Sequence, residues 1–205
     1  VKWIRLFYLY PTYFDDELLE IITKEEKICK YVDIPLQHIS DSVLRRMHRR
    51  DSSQSIKKLL KKLRNTTPYI TIRTTLMVGF PGETEADFKE LLTFIKAVKF
   101  DNMGAFTYSA QDGTPAARMV DQVTEEIKEN RYHELMAAQA EISEENNRNL
   151  IGVDTEVLVE ELLDDGCGNL QAKGRASFQA PEVDGNVYID HPGDLRPGDF
   201  VKAHI

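Results

Sequence analysis

Thiols are scarce in this chain: among 205 residues there are two cysteines, Cys29 and Cys167, far apart in sequence. Neither has a second thiol or a histidine at ligand spacing, which excludes a zinc or iron–sulfur motif built within these residues. Two free thiols are expected rather than a disulfide. Long apolar runs are missing as well. No stretch reaches the roughly 18 apolar residues of a membrane-spanning helix, and no signal peptide opens the chain, so it reads as soluble and cytoplasmic. Positive charge is also in deficit, with a formal net charge of −8. Apolar residues make up 41%, enough to build the core of one large domain, or of one medium and one small domain.

The charge deficit is local. Residues 151–205 hold eleven Asp and Glu against four Lys and Arg, a balance of −7, which leaves −1 for the first 150. A change of texture falls at the same place, so two domains are expected, 1–150 and 151–205. In the first, strand-like and helix-like segments alternate. The strand-like ones are Lys2–Tyr10, Tyr31–Leu36, Ile70–Phe80 and Asn102–Ser109. Helical patterning falls on Asp15–Lys27, Ser40–Met47, Gln54–Leu63 and the stretch after Thr84, and Thr124–Leu150 is a long polar helix leading out. Such alternation predicts a parallel sheet or barrel. The second domain shows short strands at Glu156–Glu161, Asn169–Ala176, Asn186–Asp190 and Asp199–Ile205, separated by glycine turns, and predicts a small antiparallel barrel of OB-like size.

The most informative stretch is RTTLMVGFPGETEADF, from Arg73 to Phe88. Residues 70–80 alternate with period two, Gly79-Phe80-Pro81-Gly82 breaks the strand, and Thr84 with Asp87 can cap a helix striped by Phe88, Leu91, Leu92, Ile95 and Val98. Ligands gather at such turns, at the carboxyl ends of parallel strands. Parity sets Arg5, Asp33, Gln37, Arg73 and Thr75 on one face, although the centre of a closed barrel is normally apolar. Two readings stand. A wider or incomplete barrel holds a polar ligand there, or Asp33 pairs with Arg5 or Arg73 and fixes the strands. The basic run Lys57, Lys58, Lys61, Lys62, Arg64 lies opposite the apolar stripe of its helix and reads as a solvated face, with an RNA-facing role as the alternative for it and for Arg45, Arg46, His48, Arg49 and Arg50.

Five motifs in order, YLYP, DIPLQHISDSVLRRMHR, RTTLMVGFPGETEADF, FTYSAQDGTPAA and GRASFQAPEVDG, together resemble the radical-SAM methylthiotransferases. Within that family they are most similar to the branch that adds a methylthio group to the β-carbon of an aspartate of small-subunit ribosomal protein twelve. The resemblance implies an α/β fold: a partial, truncated TIM-like βα barrel of the radical-SAM type, then a small antiparallel β-barrel, the TRAM domain. It implies S-adenosyl-L-methionine across the open end of the barrel, and two 4Fe–4S clusters in the full-length enzyme. Carried over by position, Gln37 and His38 end a strand facing the cofactor, Arg73 and Thr75 meet its methionine carboxylate or ribose, and Val78, Gly79 and Phe80 approach its adenine.

The family's CxxxCxxC loop is absent, so no catalytic residue and no cluster ligand is expected here. The chain reads as the carboxy-terminal part of such an enzyme, strands three to six and a closing helix, inactive alone and with an edge open to self-association. The acidic second domain is expected to attract a basic ribosomal protein or the small subunit, and to repel tRNA. The alternatives are a tRNA methylthiotransferase and a non-catalytic binding module.

Overall fold

The computed structural model describes residues 1–67, 69–164 and 170–205. The thiol of Cys167, the acid at 165 and the expected start of a strand at Asn169 lie outside these residues. Four strands, β1 (Ile4–Leu6), β2 (Ile28–Asp33), β3 (Thr71–Val78) and β4 (Asn102–Thr107), form one sheet in sequential order with every pairing parallel. Helices α1 (Asp16–Lys24), α2 (Asp41–Arg46), α3 (Ser53–Thr66) and α4 (Glu85–Val98) fill the crossovers, and α5 (Glu125–Arg148) follows β4. The expected alternation is therefore present.

Period two decides which side of the sheet is buried. Ile72, Leu76 and Val78 of β3 pack with Val32, Met103 and the apolar stripes of the helices in one core cluster. The stripe of α3, Ile56, Leu59, Leu60 and Leu63, is inside, while Lys57, Lys58 and Lys61 face water. Each fully buried leucine contributes about 1.5–3 kcal/mol, so this side holds the sheet together. The cap at Thr84 forms as its residues require: Thr84 accepts from the Asp87 N–H and the Asp87 side chain accepts from the Thr84 N–H in return.

β1 is shorter than the expected Lys2–Tyr10. It has one neighbouring strand, and Tyr8 takes a left-handed backbone (φ 57) whose N–H turns to the Asp33 carboxylate at 3.3 Å. That bond replaces a ladder bond and ends the strand.

Residues from 151 onward form a second sheet, β5 (Asp154–Asp164), β6 (Leu170–Ala176), β7 (Val187–Asp190) and β8 (Phe200–His204), in the order β7-β6-β5-β8 and wholly antiparallel. It is a curled half-barrel: its outer strands β7 and β8 do not pair with each other. A register irregularity at Val159/Glu161 bends β5, and Gly174 opposite it admits the Leu158 carbonyl, which a Cβ would meet at 2.4 Å. Among the described residues no helix is long and apolar enough to cross a membrane.

Candidate functional site

The other side of the parallel sheet is concave. Register places Arg73, Thr75 and Met77 of β3 beside Asn102, Gly104 and Phe106 of β4, with Cys29, Tyr31 and Asp33 of β2 at the same parity. Its two ends differ in chemistry.

At the carboxyl ends of the strands lies a cleft of about 310 Å³ whose floor includes Gln37, Met77 and Phe80. Met47, Ala116 and Met119 supply its walls. Gln37 extends β2 in an irregular way: its N–H bonds the Thr75 carbonyl at 2.9 Å, and its own carbonyl accepts from Met77 at 2.8 Å. This bridge is made with a left-handed backbone (φ 68). The side-chain Oε1 of Gln37 is buried and has no hydrogen-bond partner. Phe80 stands edge-on to Tyr108, ring centres 5.2 Å apart.

The turn that builds this end is fixed by a residue outside the expected site. Glu83 is fully buried and accepts from the N–H groups of Gly79 (2.6 Å) and Phe80 (3.3 Å), while Arg131 of α5 donates to it at 2.9 Å. Burial pushes the Glu83 carboxyl above its ordinary pKa, against the opposite pull of Arg131 and the two N–H groups. Gly79 is left-handed (φ 74), and a Cβ there would meet Lys128 Cγ at 2.3 Å, so only glycine fits.

His38 does not line the cleft. Its ring is fully buried, Nδ1 accepts from the Ser40 N–H at 3.0 Å, and Nε2 lies 3.8 Å from Glu83. Burial lowers its pKa to about 4, so the ring is neutral at pH 7 and makes no ion pair with Glu83. Val78 likewise points into the helix-covered core. Thr75 stays on the concave face, half-buried.

At the other end the face is covered by residues 177–185 of the chain itself. Arg73 donates to Asp184 at 2.9 Å, and its Nε lies 3.7 Å from Asp33. Tyr31 Oη donates to Asp184 at 2.8 Å, and Arg5 donates to the Ser177 carbonyl at 2.9 Å. Ala180 packs with Cys29, Tyr31 and Trp3, so the Cys29 thiol is buried and its pKa is raised by that burial. The ion pair read from parity between Asp33 and Arg73 is thus present, with Asp184 as a third member. Asp184 lay in the motif APEVDG, but no local pattern ties it to a strand 111 residues away. Glu83, directly after the glycine turn, could have been suspected from that position. The methionines of the cleft carried no signal.

Comparison with known proteins agrees with this architecture. The Radical SAM superfamily model matches residues 2–95 and the TRAM domain model residues 151–205. Among solved structures, coproporphyrinogen III oxidase (HemN) from Escherichia coli superposes with a TM-score of 0.58 at 19% identity, covering 68% of this chain and 32% of that one, a likeness of fold alone. Residues 2–95 are thus of the radical SAM type, and residues 151–205 match a TRAM domain. Over all of its 205 residues it is similar to the ribosomal protein uS12 methylthiotransferases RimO, 49% identical to that of Geotalea uraniireducens and 50% to that of Desulforudis audaxviator. It spans 45% and 44% of the length of these two relatives.

Proposed function

We propose that this chain is the cofactor-cradling and partner-reading part of a methylthiotransferase acting on ribosomal protein uS12. In this reading it divides at residues 150/151, with the carboxy-terminal part of a radical-SAM domain before the boundary and a TRAM domain after it. The observation that carries the reading is the cleft at the carboxyl ends of parallel strands, where a buried acceptor without a donor, Gln37 Oε1, meets an apolar lining.

These residues fit S-adenosylmethionine. Phe80 and Met77 offer the apolar contact that adenine needs, Gln37 accepts an N–H or O–H, and the glycine turn lets a ligand approach the backbone. Gln37, Thr75, Gly79 and Phe80 would hold the cofactor. His38 and Val78 brace the strand ends from behind. Arg73 would take the cofactor's carboxylate in a form in which Asp184 has left it. When bound, the cofactor supplies the radical chemistry after which the superfamily is named. Glu83 and Arg131 keep the turn in place, and neutral His38 adds no charge behind it.

No group of three or more His, Cys, Asp or Glu among the described residues could hold a metal ion. With two cysteines in the whole sequence, neither 4Fe–4S cluster has its set of thiolates here, and both are assigned to the remainder of a full-length protein. The −7 balance of residues 151–205 favours a basic ribosomal protein over a polyanion such as tRNA.

The test uses the full-length protein and labelled S-adenosylmethionine in equilibrium dialysis. Met77→Asp, which places a charge in the lining, should weaken binding at least about tenfold, and Gln37→Leu, which removes one hydrogen bond, by up to about tenfold. Unchanged affinity in both variants, with the fold intact by circular dichroism, overturns the cofactor assignment. Tighter binding to tRNA than to uS12 at low salt overturns the partner assignment.

A further inference from the structure

Asp184 occupies a seat in which each donor is directed at a carboxylate. Arg73 Nη1 reaches its Oδ1 at 2.9 Å, and the Tyr31 hydroxyl and the Ala180 N–H reach its Oδ2 at 2.8 Å each. The Asp184 side chain is fully buried. Two of these donors, Arg73 and Tyr31, belong to the concave face and stay there whatever the covering loop does.

The loop itself is lightly held. Residues 181–183 are exposed, and Glu182 is left-handed (φ 67), a conformation a glutamate adopts only under constraint. Of the loop, Ala180 joins the buried apolar cluster of Cys29, Tyr31 and Trp3, and the other anchors are polar, the Ser177 and Val183 carbonyls taking bonds from Arg5 and Arg73. The seat is also over-supplied with acid. Asp33 lies 3.7 Å from the same guanidinium, and its Oδ1 is buried without a hydrogen-bond donor. One cation thus faces two carboxylates, of which Asp184 is the one on the removable element.

From these features we infer that the Arg73–Tyr31 pair is an exchangeable carboxylate-binding site, and that Asp184 is its internal occupant. An incoming carboxylate takes the two donors on the sheet, and Asp184 leaves with the loop 177–185. The exchange conserves charge at the guanidinium, so Arg73 is never left with Asp33 alone. A planar guanidinium and a phenol oriented toward two oxygens of one group suit a carboxylate better than a neutral amide. Two sources offer this chemistry: an aspartyl side chain of a polypeptide, matching the length of the present occupant, and the α-carboxylate of a small molecule such as S-adenosylmethionine. The seat follows from its own geometry; only the choice of these two probes rests on the proposed function.

The experiment titrates the full-length protein by calorimetry with N-acetyl-aspartate N-methylamide and its asparagine counterpart, and with S-adenosylmethionine and its decarboxylated form. Removing the internal competitor in Asp184→Ala should tighten binding of a carboxylate probe about tenfold. Asp184→Asn, whose amide still fills the seat, should give a smaller gain in the same direction. Adding Arg73→Gln to either variant should abolish the gain, and the asparagine probe should show none. A gain confined to the aspartyl probe identifies a polypeptide as the source, and one confined to intact S-adenosylmethionine identifies the cofactor. No gain for either carboxylate in both Asp184 variants, folded by circular dichroism, or a gain that survives Arg73→Gln, overturns the site. Failure of S-adenosylmethionine to bind any form instead counts against the proposed function and leaves the aspartyl measurement to decide the seat.

Discussion

The two ends of one concave face are built from the same strands and carry opposite chemistry. At the carboxyl ends, Met77, Phe80 and the orphaned Gln37 oxygen leave an open apolar cleft. A few residues back along the same strands, Arg73, Asp33 and Tyr31 are sealed under Asp184. The difference teaches that parity alone fixes which side chains share a face, whereas the element laid across that face fixes whether they are available. Arg73 and Met77 have the same orientation on β3; one is already satisfied and the other is not.

The largest expected effect falls on the support of the open end. Glu83→Ala would leave buried Arg131 with the exposed Glu85 carboxylate, 3.6 Å away, as its remaining charged partner and free two N–H groups of the turn. A loss of about 3–5 kcal/mol is expected, read as a lower Tm together with weaker cofactor binding. A drop in Tm like that of an exposed-site variant would show that the turn stands without this carboxylate.

Acid should act on the same end. His38 has a folded pKa of about 4 against an ordinary 6.5, so the unfolded chain binds its proton first. Its contribution is fully present above pH 6.5 and is lost as pH falls from there to about 4, up to about 3 kcal/mol in all. A Tm profile across that window should slope downward toward acid, and His38→Asn, which keeps an acceptor for the Ser40 N–H, should flatten it. An unchanged slope in that variant would assign the acid sensitivity to other groups.

Gly79→Ala should cost about 1–3 kcal/mol, since the residue is left-handed and its Cβ would press on the Lys128 stem. Combining it with Lys128→Ala should recover the steric part and leave the backbone part. Full recovery would mean that the φ angle carries no strain.

The smallest effect is expected at the sealed end. Asp184→Asn keeps one acceptor oxygen, enough for the Tyr31 hydroxyl and the Ala180 N–H but not also for Arg73, and removes one of two carboxylates around one guanidinium, so its Tm should fall by less than that of Asp184→Ala, whose cost is about 1–3 kcal/mol. Equal destabilisation would show that charge, not hydrogen bonding, holds the loop.

These two ends were unequally legible in the sequence. The open end is largely local: strand, glycine turn and Thr84–Asp87 cap follow one another within RTTLMVGFPGETEADF, and a period of two is enough to orient its side chains. Gln37 and Phe80 could therefore be placed at the cleft. Val78 shares the parity of Ile72 and Leu76, so period two already sets it on the core side, against the role carried over from the resemblance. His38 could not be placed, because it follows the left-handed Gln37, where the period of the strand ends. At the sealed end, the need of Arg73 for a carboxylate was legible from burial and charge alone. Asp184 as its partner was not, because that pairing closes a loop of 111 residues between two sheets.

The long helix α5 has a mechanical consequence. Arg131 ties its start to the glycine turn, Leu135 and Ala138 sit in the main core, and Gln139 and Asn146 both donate to the Phe100 carbonyl near its end. A rod fastened along its length is a splint and cannot serve as a joint. Its 24 residues, about 36 Å, extend the rigid body of the parallel sheet up to the doorstep of the second sheet. Any swing between the two must pivot in the short turn after Asn149, where Gly152 is left-handed and its N–H bonds the Ile205 carbonyl at 2.8 Å. Motion about that pivot also has to part the edge-on contact of Trp3 with Phe200, ring centres 4.8 Å apart. The lone tryptophan of the chain thus sits on the seam that such a swing would open, a built-in fluorescent gauge of it.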